Sequence, residues 1–166
     1  MKVRALFTIA VVAIVAYAPG ARAQTTVNAT ATITIPQVLY ISVNETNITF
    51  PQPGSTEFDA GLIGANEAST VTHKGNVVHD VEIKADAADF TALVDPVNNV
   101  KAAADFQWSN DGGTNFTSIS TTAADVVTAA PNGVGNQTVN YRILLDYLTD
   151  ADDTYTLGFT FTIVAN

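Results

Sequence analysis

The chain has 166 residues, with seven Lys plus Arg against sixteen Asp plus Glu, a formal charge of −9 and no cysteine. A chain this long makes one domain, or at most two small ones, and its acidity argues against nucleic acid, whose phosphates require a basic surface. Without cysteine there is no thiolate catalysis, thiol-based zinc site, lipoprotein anchor or disulfide scaffold.

Lys2 and Arg4 precede an uncharged apolar stretch from Ala5 to Ala18. Pro19-Gly20 then breaks the helix, and Ala21-Arg22-Ala23 has the small-x-small form of a peptidase site. The pattern predicts a cleaved signal peptide over residues 1–23, because the apolar run is shorter than the ~17–20 residues needed to span a bilayer. The expected mature domain, residues 24–166, is then secreted, periplasmic or on the cell surface, with no transmembrane segment. It is more acidic than the precursor, since Lys2, Arg4 and Arg22 leave with the leader and no acid does.

The mature chain opens on strict alternation. Val27, Ala29, Ala31, Ile33 and Ile35 share one face and Thr26, Asn28, Thr30, Thr32 and Thr34 the other, until Pro36 removes a ladder donor. Strands are predicted next over 38–43, 47–50, 69–72, 77–85, 90–94, 105–108, 114–119 and 138–146. Ser109-Asn110-Asp111-Gly112-Gly113 supplies the positive φ angles of a tight hairpin, and residues 131–136 read as a loop. Residues 85–88 and 102–104 are short helical candidates without a 3.6-residue stripe. The last predicted strand sets Tyr155, Leu157, Phe159, Phe161 and Ile163 on one face against Thr154, Thr156, Gly158, Thr160 and Thr162; Gly158 marks a bulge or a close neighbour. Many short strands, turn signals and few helices predict an all-β fold, a single antiparallel Ig-like or pilin-like β-sandwich.

Sites for chemistry are sparse. His73 and His79 lack an evident third ligand, and His79-Asp80 cannot form a dyad because neighbours on a strand face opposite ways. No Gly-x-Ser-x-Gly elbow is present. Asp150, Asp152 and Asp153, with Asp111 or Asp146 nearby in space, are the candidates for calcium, a cation that takes hard oxygen ligands; a solvated acidic turn is the simpler alternative. Trp108, Tyr40, Tyr147 and Phe58 are either sugar-stacking aromatics or core, with the Phe106/Trp108 alternation favouring core. Asn-x-Thr sequons begin at Asn28, Asn44, Asn47, Asn115 and Asn136, and matter only where the source glycosylates exported proteins.

Thr30-Ala31-Thr32-Ile33-Thr34-Ile35 at the start, and Asp153-Thr154-Tyr155-Thr156-Leu157 running into Phe159-Thr160-Phe161-Thr162 at the end, resemble secreted bacterial pilin-like β-sandwich proteins of the spore-coat-U and archaic chaperone–usher type. The resemblance implies that the opening strand of one subunit completes the sandwich of the next. The disulfide usual near the first strands of that family has no counterpart here, and Asp153 stands where a Gly is more frequent.

The expected function is therefore an exported, non-enzymatic cell-surface or extracellular structural protein, in its specific form a subunit assembling by β-strand addition. Val27, Ala29, Ala31, Ile33 and Ile35 would enter a groove lined by Tyr155, Leu157, Phe159, Phe161 and Ile163, and the partner would be a second copy or another surface protein. Alternatively, residues 26–35 close their own sandwich. A monomeric secreted module binding a glycan, a peptide or calcium through its loops is the other reading, with Asp111, Asp150, Asp152 and Asp153 as contributors.

Overall fold

The computed structural model describes residues 27–166, so the expected leader over residues 1–23 lies outside the described residues. The strands are β1 (Leu39–Val43), β2 (Leu62–Gly64), β3 (Ser69–Gly75), β4 (His79–Ala85), β5 (Thr91–Ala92), β6 (Phe106–Ser109), β7 (Thr117–Ser118), β8 (Ala124–Ala130), β9 (Gly133–Leu144), β10 (Tyr155–Thr156) and β11 (Phe159–Ala165). One short helix, α1 (Ser55–Ala60), and one 3-10 turn (Ala103–Asp105) interrupt them. All the strand pairs are antiparallel.

Two sheets pack face to face. One runs β1-β3-β9-β6-β7, with β2 continuing beside the far end of β9; the other runs β11-β4-β8, and β10 and β5 form a separate ribbon. Alternation fills the space between them as expected for a sandwich. Val71, Val139, Tyr141, Phe106 and Trp108 from the first sheet meet Val81, Ile83, Ala85 and Val126 from the second. Each fully buried aliphatic side chain contributes about 1.5–3 kcal/mol gross. Phe106 stacks on Tyr141 at 5.4 Å between ring centroids and tilts against Phe159 at 5.3 Å, so the aromatic centre of the core ties β6, β9 and β11 together.

Several sequence expectations shift for local reasons. Residues 47–50 form no strand: Glu45 accepts from Asn47 N–H and Glu67 from Thr49 N–H, so side-chain carboxylates take the donors a ladder would use. Ile48 and Phe50 still pack on the core. Residues 133–136, predicted as a loop, instead begin β9, where Gly135 and Gly133 lie opposite His73 and Gly75 of β3. The 85–88 segment is not helical, and the 102–104 candidate corresponds to the 3-10 turn, one residue further on. Strands β2 and β8 and helix α1 were not anticipated. Helix α1 is bounded by local chemistry: the Glu57 carboxylate accepts the Gly54 N–H at 2.8 Å, and Gly61 ends it at φ 71°.

The predicted last strand is broken in two at Gly158. The Tyr155–Thr156 part pairs with β5, while Phe159–Ala165 pairs with β4. At the break, Gly158 O accepts from Asp86 N–H, and a Cβ at Gly158 would come within 2.7 Å of the Asp86 carboxylate. A close neighbour therefore explains the glycine.

Candidate functional site

Ile35–Asn166 forms one compact unit. Its two sheets end, on one side, in β1 and β11, each of which pairs with a single strand. Strand β11 presents Phe159, Phe161 and Ile163 inward, yet all three remain half-buried because no strand covers its outer edge among the described residues. Ile41 and Val43 of β1, with Ile48 and Phe50 of the segment that follows, are half-buried in the same way. At the start of β11 this apolar edge opens into a cleft of about 200 Å³, lined by Ile48, Phe50, Phe106, Ile143, Leu157 and Phe159 among others. All five predicted groove residues, Tyr155, Leu157, Phe159, Phe161 and Ile163, pack against the core while staying half-buried.

The opening segment has the complementary character. Residues 27–38 form no strand, and Val27, Ala29, Ala31, Ile33 and Ile35 are all exposed, Val27 at 85% and Ile33 at 81%. Neither this segment nor β11 contains a charged residue, so joining two such strands would bring no like charges together.

The acidic residues proposed for calcium do not converge, and among the described residues no three His, Asp or Glu side chains are grouped to hold a metal ion. Asp153 is a loop clasp. Its carboxylate accepts the backbone N–H groups of Leu93, Val94, Asp95 and Thr154 and the Asn99 side-chain amide. These bonds, led by that from Asp95 N–H, hold its carboxyl well below the usual carboxylate range. Asp111 plays the same part in the predicted hairpin, accepting from Ser109 Oγ and from Thr114 and Asn115. Asp152, the third calcium candidate, is exposed and has no hydrogen-bond partner of its own among the side-chain contacts described.

Asp150 faces a lysine instead of a metal site. Lys101 Nζ, on a residue only 4% exposed, donates to Asp150 Oδ1 at 2.7 Å, to Leu144 O at 2.9 Å and to Asp105 Oδ2 at 3.3 Å. An ammonium thus stands among the oxygens a cation would need. Sequence reasoning overlooked Lys101. Its signal was a single cation between Val100 and Ala102-Ala103-Ala104 in a chain otherwise poor in cations.

His73 and His79 come together, but on each other. His73 Nδ1 lies 2.8 Å from His79 Nε2, and His79 Nδ1 bonds Val77 O at 2.9 Å, so the pair links β3 of one sheet to β4 of the other. Burial and the neighbouring His79 lower the His73 pKa. Among the aromatics, Trp108 is buried core, with no hydrogen-bond partner for Nε1, and so is not a sugar platform. Tyr40 lies under Lys74 Nζ at 5.1 Å, and Tyr147 stacks on Phe58 at 4.8 Å, with its hydroxyl donating to Asp59. Tyr40 and the Tyr147–Phe58 pair make separate contacts on different elements. No protein-family model matches this sequence, and no curated protein is significantly similar to it.

Proposed function

We propose that the protein is an exported, non-enzymatic structural subunit of a cell-surface or extracellular assembly, in which residues 27–35 of one copy add a strand beside β11 of the next. The observation that carries this reading is a match of unsatisfied surfaces. An edge strand with half-buried Phe159, Phe161 and Ile163 exists in the same chain as an exposed, uncharged segment whose apolar residues recur every second position. A strand added there gains backbone hydrogen bonds and places Val27, Ala29, Ala31, Ile33 and Ile35 over the apolar seam, with the Thr face left to water. An apolar edge left open is otherwise an aggregation hazard, so an orderly occupant serves the fold as well as assembly.

Electron microscopy and size-exclusion chromatography of the purified chain test this directly. Ordered multimers are expected from the full chain, and a folded monomer from a chain lacking residues 24–35. A synthetic peptide of residues 26–36 should bind that truncated monomer and block its co-assembly. A full chain that stays monomeric at high concentration, or a truncated chain that cannot fold, would overturn the reading.

A monomeric binding module is the second reading, favoured by one feature. Leu93, Val94 and Val97 are strongly exposed on a loop that Asp153 and Asp95 hold in a defined shape. Retention of the monomer on an immobilised glycan or peptide array, lost in Val97→Asp, would support it.

A further inference from the structure

We propose that Lys101 and Asp150 condense into an intramolecular amide, a covalent staple in a chain that has no cysteine to make a disulfide. The inference does not depend on assembly. It rests on a buried amine and a buried carboxylate held in contact, with a second carboxylate beside them.

The geometry assigns the three roles. Asp150 is the acyl acceptor, because its Oδ1 is the closer of the two carboxylates to Nζ, at 2.7 Å against 3.3 Å, and its side chain is 7% exposed against 32% for Asp105. Asp105, still within reach of Nζ and open enough to exchange with solvent, is the proton relay. Burial of both reacting groups removes the water that would favour the separated ions and holds them at the short range where intramolecular reactions gain most.

The step balances without any co-reactant. One proton moves from the Lys101 ammonium to the Asp150 carboxylate across their hydrogen bond, leaving a neutral amine and a carboxylic acid. The amine lone pair attacks Cγ, forming the Nζ–Cγ bond, and Asp105 accepts a second proton from nitrogen. Asp105 then returns that proton to Oδ1 as the Cγ–Oδ1 bond breaks, and Oδ1 departs as water. Ammonium plus carboxylate becomes amide plus one water, and Asp105 is unchanged.

The surroundings suit the product as well as the reactants. After Oδ1 leaves, Asp150 Oδ2 is the amide carbonyl oxygen, and it already accepts the Asp146 N–H at 3.0 Å. The one remaining Nζ–H points to Leu144 O, now 2.9 Å away. Both polar groups of a buried amide are thus satisfied in place. The bond would tie the segment ahead of the 3-10 turn to the loop between β9 and β10, closing residues far apart in sequence.

Mass spectrometry of the purified full chain tests the proposal. The expected protein is lighter than its sequence by the mass of one water. Trypsin should then spare Lys101 and release residues 85–142 joined to residues 143–166 as one branched peptide, which separates this loss from cyclisation elsewhere. Linear peptides 85–101 and 143–166 at their sequence masses, recovered from soluble folded chain, would overturn it. In Asp105→Asn, with an unchanged circular dichroism spectrum, the branched fraction should drop at least tenfold; undiminished branching would overturn the relay role of Asp105.

Discussion

His73 of β3 and His79 of β4 face each other across the two sheets, 2.8 Å apart between Nδ1 and Nε2. The nearby charged side chains turn outward. Lys74 lies over Tyr40, and Asp80 accepts from Ala129 N–H and Asn166. Strands β1 and β11, which flank the pair, contain no charged residue.

A depressed His73 pKa means that the unfolded chain binds more protons than the native one as pH falls below the ordinary value of 6.5. Stability is therefore full above that value and declines as pH is lowered through it. Asp95, Asp111 and Asp153 are shifted downward too, so their contribution is retained until pH falls below about 4. Urea unfolding at pH 7 and pH 5 should show the loss, and His73→Gln should flatten it; a wild-type stability unchanged over this range would contradict the assignment.

Gly135 makes room for that pair. It is not at positive φ, but a Cβ there would overlap the His73 ring, so the demand is for space and not for backbone freedom. Gly135→Ala should cost about 1–3 kcal/mol by overpacking, read as a lower urea midpoint with unchanged slope. Gly112→Ala, where nothing lies nearby but φ is 78°, should cost less than Gly135→Ala and act through backbone strain alone.

Asp153→Ala removes five hydrogen bonds at once, four of them from the loop of residues 93–99 and one from Thr154. The expected result is faster proteolysis confined to this loop, with the β3–β9 and β4–β11 pairings still protected in hydrogen exchange. Uniform loss of protection would mean that the loop and the sandwich open as one unit.

Calcium should leave the melting temperature unchanged. Asp153 is occupied by amides and Asp150 by Lys101, so binding would first have to break those contacts. Thermal melts with excess calcium and with chelator decide this, and a rise of several degrees with calcium alone would refute it.

Ile33→Asp separates assembly from folding. The side chain is 81% exposed, so the stability of the folded unit should change by less than about 0.5 kcal/mol. Loss of its burial in a neighbour's groove, about 2 kcal/mol, should weaken subunit affinity roughly 30-fold. Sedimentation and denaturant unfolding of the same sample measure both.

Period-two patterning was legible in the sequence for most of β3, β4, β9 and β11, because half-buried strands need alternate apolar residues whatever lies opposite. Residues 47–50 carry a strand-like pattern too, but Glu45 takes the Asn47 N–H locally and Glu67, brought near only by folding, takes that of Thr49. Residues 133–136 look like a loop because of Gly133 and Gly135, yet pairing with β3 and the His73 ring require the strand, and at Gly135 the missing side chain. The acidic cluster of Asp150, Asp152 and Asp153 was visible, whereas Lys101, 49 residues before Asp150, became its neighbour only through folding.

Composition and alternation by themselves determined that this chain would form antiparallel sheets without disulfides, since those properties depend on neighbours in sequence. The tertiary structure decided which strands lie at the edges, which carboxylates meet amides and which meet a lysine. Those outcomes depend on contacts between distant segments, where burial and geometry choose a partner that local pattern cannot name.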